Sequence, residues 1–145
     1  MKIRLMEKAD VAAVIDMMRG FYASDAVLTN GSEEIFFADA NECVNGSPYL
    51  EGYVFENEGG IQGYAMCAKS FSTEFGKRCV WIEDLFVKED HRGKGIGSDF
   101  LAFISDKYKE CVIRLEAEAE NERAIHVYNK AGFDVLPYTE LIKLQ

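Results

Sequence analysis

Proline occurs only twice in 145 residues, and there is no low-complexity tract or block of like charge. Disorder is therefore expected only at the ends and loop tips. No apolar run approaches the ~20 residues of a membrane span. The opening segment Met1–Lys8 alternates apolar and charged residues, which suits a strand and lacks the apolar centre of a signal peptide. A cytoplasmic protein is the expectation. Cys43, Cys67, Cys79 and Cys111 include no C-x-x-C pair. Their spacing supports neither a disulfide framework nor a zinc site, so four free thiols and no metal are expected.

Basic residues are also missing from one long stretch. Between Gly20 and Ala68 there is no Lys or Arg, while Asp25, Glu33, Glu34, Asp39, Glu42, Glu51, Glu56 and Glu58 are all present. The formal net charge is −9, which argues against a nucleic-acid partner. By contrast, Lys88, His91, Arg92 and Lys94 lie close together. One region thus suits a cation and another an anion.

What is present is ordinary globular material, with 48% apolar and 28% charged residues. The length fits one domain over residues 1–145. Lys2–Met6 reads as a strand. Val11, Val14, Ile15, Met18 and Phe21 recur at helical spacing. Ser32-Glu33-Glu34-Ile35 opens a second helix with a capping hydroxyl and first-turn acids. Tyr49–Glu56, Ile61–Ser72 and Cys79–Lys88 form an expected antiparallel meander. Gly95–Tyr108 is a helix, Cys111–Ala117 a strand and Asn121–Lys130 a helix ended by Gly132. Phe133–Leu136 and Leu141–Leu144 complete the chain as short strands. The order βααβββαβαββ describes an α/β (α+β) domain: a mixed central sheet of about six or seven strands with helices on both faces.

The most informative segment is Arg92-Gly93-Lys94-Gly95-Ile96-Gly97-Ser98, between a strand and a helix. Glycines let successive backbone N–H groups converge without Cβ obstruction. The helix start adds about half a positive charge. A pyrophosphate is the natural occupant, and Arg92 and Lys94 add direct charge. The spacing G-x-G-x-G matches neither the Walker A pattern nor the dinucleotide fingerprint. A ligand-free strand–helix turn stays open on this segment alone. A second segment, Asn121 to Phe133, has Asn121 at a helix start and Tyr128 two turns on along the same face.

Together, R-x-x-G-x-G followed by N-x-x-A-x-x-x-Y-x-x-x-G-F resembles the GCN5-related N-acetyltransferase (GNAT) superfamily over almost the whole chain. Trp81–Val87 with Arg92–Ser98 is similar to its diamine (spermidine/spermine, thialysine) acetyltransferase branch. The resemblance implies direct transfer of an acetyl group from acetyl-CoA to a primary amine, with no metal. Leu85, Phe86 and Val87 would offer backbone contacts to the pantetheine arm, one N–H near Leu85 or Phe86 polarising the thioester carbonyl. Arg92, Gly93, Lys94, Gly95, Ile96, Gly97 and Ser98 would hold the pyrophosphate. Asn121 would contact the arm or the pyrophosphate, with Ala124 leaving room. Tyr128 would protonate the departing thiolate.

Glu83 stands where the family often places a carboxylate. It acts either as a base, directly or through water, or as an electrostatic lure for the amine. Asp84 would face the opposite side of a regular strand, and a bulge would change that. Tyr22, Asp25, Glu33 and Glu34 fall in the stretch without basic residues, where aromatics and carboxylates suit a cationic acceptor, or else form a solvated face. His91 either touches a phosphate or is solvated. A polyamine or basic amino-acid analogue is the expected acceptor. A protein N-terminus or lysine is a second reading, and a non-catalytic acyl-CoA sensor a third. The family often forms dimers, and the segment Leu141–Leu144 could pair with a partner copy.

Overall fold

The computed structural model describes residues 1–145. The first strand, β1, is Lys2–Leu5. Helix α1, Val11–Tyr22, turns Val14, Met17, Met18 and Phe21 inward, the spacing expected of an amphipathic helix. Helix α2, Glu33–Val44, starts where Ser32 Oγ accepts the Ile35 N–H at 3.2 Å. Strands β2 (Leu50–Asn57), β3 (Gly60–Ser72) and β4 (Lys77–Val87) follow. Helix α3 is Ile96–Lys107, strand β5 is Val112–Leu115 and helix α4 is Glu122–Lys130.

The sheet order is β1-β2-β3-β4-β5. Successive pairs from β1 to β4 are antiparallel, and β5 joins β4 in parallel. Helices cover both faces. On one, α1 and α2 bury Val14, Met17, Met18 and Phe36 against Val54, Tyr64 and Met66. On the other, Ile96, Phe100, Leu101 and Ile104 of α3 pack on Tyr53, Phe55, Ala65, Cys67, Val80 and Ile82, with Val127 and Tyr128 of α4 at the margin. No helix is long and apolar enough to cross a membrane.

A bulge in β4 changes the expected side-chain directions. Cys67 pairs with Ile82 and the next residue back, Met66, pairs with Asp84. Glu83 is therefore an extra residue on β4, and the inward–outward alternation resets across it. Before it, Val80 and Ile82 face α3; after it, Leu85 and Val87 do so. Asp84 and Phe86 consequently face α1 and α2. In a regular strand Asp84 would have pointed to the α3 side.

The two expected terminal strands do not form, so the sheet has five strands rather than six or seven. Residues 131–145 contain no helix or strand. Pro137 lacks the N–H a ladder needs. Leu141, Ile142 and Leu144 are fully in solvent, with exposures of 95%, 85% and 84%. Alternation of apolar residues there has no sheet face to bury against. The segment is tethered instead through side chains: Phe133 packs on the α3 core, and the Tyr138 hydroxyl donates to Glu74 at 3.0 Å.

Gly63 is the tightest point between β3 and the end of β4. A Cβ there would lie 2.3 Å from the Phe86 carbonyl oxygen, 2.8 Å from Phe55 Cδ2 and 3.1 Å from Val87 Cα. Backbone cannot yield cheaply. Gly63→Ala should cost about 1–3 kcal/mol in denaturant unfolding. An unchanged unfolding midpoint would show that β4 ends with more slack than these distances allow.

Candidate active site

The site begins where two strands part. β4 and β5 pair in register from Cys79↔Val112 to Ile82↔Leu115 and no further. β4 runs on to Val87, still paired with β3. The Lys88 N–H donates to the Gln62 carbonyl of β3 at 2.9 Å. Alternation along the strand then turns Phe86 toward β3 as well, and leaves the backbone groups of Leu85 and Val87 facing the gap. An extended, amide-bearing chain can pair with such an edge.

At the open end of this gap lies the glycine loop. A turn at Glu89–His91 precedes it. The turn is clamped to β3 by Gln62 Nε2, 3.1 Å from His91 Nδ1, so the structure gives His91 a protein partner. Arg92 Nε donates to the Val87 carbonyl at 2.8 Å, its guanidinium lying over the Phe86 ring at 5.5 Å. Lys94 Nζ donates to the Asp90 carbonyl at 2.9 Å. Gly93 and Gly95 hold φ of 75° and 84°, a left-handed geometry that other residues resist. The first backbone bond of α3 is Asp99 N–H to the Gly95 carbonyl, at 2.9 Å. The N–H groups from Gly93 through Ser98 donate to nothing in the protein. Their convergence at a helix start is an anion cradle. Ile96 does not line it with its side chain, which is buried in the α3 core.

Helix α4 closes one side. The Asn121 side-chain carbonyl accepts the Ala124 N–H at 3.2 Å and so caps the helix, leaving its amide nitrogen uncommitted. Tyr128 is half-buried beside the α3 core, its ring edge-on to Phe133 at 6.3 Å. Burial raises its pKa, which keeps the phenol protonated. Arg123, which no motif pointed to, projects toward the loop. Its Nη2 is 3.9 Å from where a Cβ on Gly93 would lie, and it makes no ion pair.

At the point where the strands part, the bulge presents Glu83 at the surface. Loss of solvation raises its pKa, helped by Glu140 and Asp39. Glu116, just past the end of β5, is pushed up to about 7 by desolvation and by its hydrogen bond with Glu140. Neither Glu116 nor Glu140 belongs to a motif. They meet Glu83 only because β5 ends where it does and the C-terminal segment passes the gap.

Asp84 is interior, only 3% exposed. Tyr22 donates to its Oδ1 at 3.0 Å, and Tyr64 donates to its Oδ2 at 2.8 Å. Desolvation raises its pKa from 3.8 to about 6 against the pull of both phenols. The remaining acids of the stretch do not converge here. Asp25 and Glu34 are exposed, and Glu33 is held at the surface by Arg19 at 2.5 Å. A cavity of about 270 Å³ does exist elsewhere, among Ser105, Tyr108, Cys111, Ile113 and Phe133. It lies at the far end of α3 from the glycine loop. No group of three or more His, Cys, Asp or Glu side chains is placed to hold a metal ion.

The acetyltransferase (GNAT) family model matches residues 15–133. The L-amino acid N-acyltransferase MnaT of Escherichia coli (strain K12) is 29% identical over 141 residues, 93% of this chain and 80% of that protein. The spermine/spermidine N(1)-acetyltransferase of Bacillus subtilis (strain 168) is 29% identical over 108 residues, 70% and 68% of the two chains. Among solved structures, a possible acetyltransferase from Clostridium difficile 630 superposes with a TM-score of 0.83 at 18% identity, covering 99% and 97%. AAC(6')-Iy in complex with the bisubstrate analogue CoA-S-monomethyl-acetylneamine gives 0.80 at 17%, again covering 99% and 97%. At such identities these two likenesses show the fold.

The raised pKa of Asp84 has a consequence for stability. An acid whose folded pKa exceeds its unfolded value binds its proton more tightly in the native state. Its contribution therefore diminishes as pH rises from 3.8 through about 6. The unfolding free energy of the wild type, measured relative to Asp84→Asn, should fall over that interval. A difference that stays constant from pH 4 to 7 would mean that Asp84 titrates as an ordinary carboxyl.

Proposed function

Because the chain belongs to the GNAT acetyltransferase family, we propose that residues 1–145 form one catalytic domain that transfers an acetyl group from acetyl-CoA to a small cationic primary amine. The unpaired N–H groups from Gly93 through Ser98, at the mouth of the gap between β4 and β5, carry this reading. They suit the pyrophosphate, assisted by Arg92, Lys94 and Arg123. The pantetheine arm would run along Leu85, Phe86 and Val87, with the Asn121 amide nitrogen and the small side chain of Ala124 beside it. The thioester then lies near the bulge.

The neutral amine nitrogen attacks the thioester carbonyl carbon, and the oxygen takes up negative charge. Of the two candidate donors, the Leu85 N–H faces the gap and stabilises that oxyanion, whereas the Phe86 backbone is turned to β3. Collapse breaks the carbon–sulfur bond and expels the thiolate. Tyr128 supplies its proton, for which a phenol kept neutral by burial is suited. Glu83 takes the proton lost by the amine, directly or through water. A raised pKa makes it a better base than an ordinary glutamate. Two features support a cationic acceptor: the acidic surroundings of Glu83, Asp39, Glu116 and Glu140, and a relative named for spermine/spermidine. The exposed apolar residues Leu141, Ile142 and Leu144 support a homodimer that covers them, which sedimentation would reveal.

Two substitutions separate the roles. Tyr128→Phe should lower kcat by about 10²–10⁴-fold, the range for loss of a positioned acid, with acetyl-CoA still bound. Equal turnover in the variant would remove Tyr128 from the chemistry. The rate should also rise with pH through a limb above the ordinary glutamate range, and Glu83→Gln should flatten that limb. A limb that persists in Glu83→Gln would transfer the base role to another group, Glu116 first.

A further inference from the structure

Asp84 is a buried carboxylate with no cation to balance it. The groups that face it are Tyr22 from α1, Tyr64 from β3, Asp39 and Cys43 from α2, and Glu83 from its own strand. None carries positive charge. The ion pairs of the protein lie elsewhere: Arg4 with Asp10 and Glu56, Arg19 with Asp16 and Glu33, and Lys69 and Lys107 with Glu51. Buried charges are normally paired, because removing them from water is costly. Two phenols satisfy the hydrogen bonds of Asp84 but leave its charge uncompensated.

A ligand cannot reach Asp84, which is 3% exposed, nor Tyr64, which is fully buried. It can reach Tyr22. That residue ends α1, is half-buried, and stands where the stretch without basic residues begins. Its hydroxyl spends its only proton on Asp84. The oxygen keeps lone pairs for an incoming donor, and the carboxylate behind it strengthens them as acceptors. Phe21, edge-on at 5.1 Å, and Phe36, tilted at 5.2 Å, are buried against the Tyr22 ring and fix its position.

Resting on the acetyltransferase reading above, we propose that Tyr22, held and polarised by Asp84, recognises a second, non-reacting ammonium group of the acceptor, which makes the preferred substrate a diamine. Tyr22 is the contact residue. Asp84 is a positioning residue that acts through it, the bound ammonium supplies the counter-charge this carboxylate lacks, and Tyr64 fixes the other carboxylate oxygen. The acid Glu83 is left free for the amine that reacts. The negative charge behind Tyr22 exists only in the ionised carboxylate. Its pKa of about 6 therefore places the loss of diamine recognition in that pH range, with the KM for a diamine rising as pH falls through it.

The test compares 1,4-diaminobutane with butylamine, which has the same chain and no second charge, by CoA release at saturating acetyl-CoA from pH 5 to 8. The wild type should favour the diamine. Tyr22→Phe should raise the KM for the diamine about tenfold, the loss of one charge-assisted hydrogen bond, and leave the KM for butylamine and for acetyl-CoA unchanged. Asp84→Asn should abolish the pH dependence of the diamine KM. Tyr64→Phe removes a phenol that cannot touch substrate. It should keep most of the diamine preference and move the midpoint of the pH dependence upward. A thermal shift with acetyl-CoA in each variant verifies that the donor site is folded. Equal wild-type rates for the two amines would overturn the proposal, as would equal effects of Tyr22→Phe on both, while leaving the acetyltransferase reading intact. No CoA release with any amine would defeat that reading, and this proposal with it.

Discussion

Everything in the site depends on β4 and β5 ceasing to pair after Ile82 and Leu115. Were the ladder to continue, the backbone of Leu85 and Val87 would be satisfied within the sheet. There would then be no edge for an extended ligand. Glu83 would not stand at an opening, and Glu116 would be a strand residue. The parting is stable because β4 is held firmly on its other side. Gly63 allows β3 to approach the Phe86 carbonyl, and the Lys88 N–H donates to the Gln62 carbonyl. Phe86 sits between Phe21 and Tyr64. One side of β4 is thus fully engaged so that the other can remain free.

The bulge at Glu83 performs a second task at the same place. It inserts one residue just as the strands diverge and resets the alternation. As a result, a carboxylate faces the cleft at position 83 while the next carboxylate turns into the α1–α2 core. Two adjacent acids receive opposite environments from one backbone irregularity. Glu83 is exposed beside the gap, and Asp84 is sealed behind two tyrosines. The charge division along the chain follows the same line. The basic residues Arg92, Lys94 and Arg123 gather at the α3 and α4 starts. The acids Asp39, Glu83, Glu116 and Glu140 border the other end of the gap.

Much of this was legible in the sequence where the signal is local. Helical spacing of Val14, Met18 and Phe21, the Ser32 cap, and the glycines that open α3 all specify their own structure. The left-handed glycine turn before α3 and the placement of Tyr128 on α4 follow from short-range signals, because loop conformation and a helix face are local properties. The missing parts are long-range. The bulge depends on register against β3, and nothing in Trp81–Val87 states it. Arg123 and Gln62 reach the loop only through tertiary packing. Glu140 reaches Glu116 because the terminal segment stays outside the sheet, although the apolar pattern of Val135, Leu136, Leu141, Ile142 and Leu144 reads as strand. Asp25, Glu33 and Glu34 lie at the surface and do not converge on Asp84, because sequence proximity to Tyr22 does not turn their side chains toward it.

The central claim is that the free amides from Gly93 through Ser98, with the open edge of β4, form the acyl-donor site. Titration of the isotopically labelled protein with CoA, followed by amide chemical shifts, tests it most directly. The account predicts large shifts at Gly93–Ser98, Leu85 and Val87, with smaller ones at Ala124 and its neighbours. Shifts confined to the cavity around Tyr108, Cys111 and Phe133, or none at saturating CoA, would contradict it.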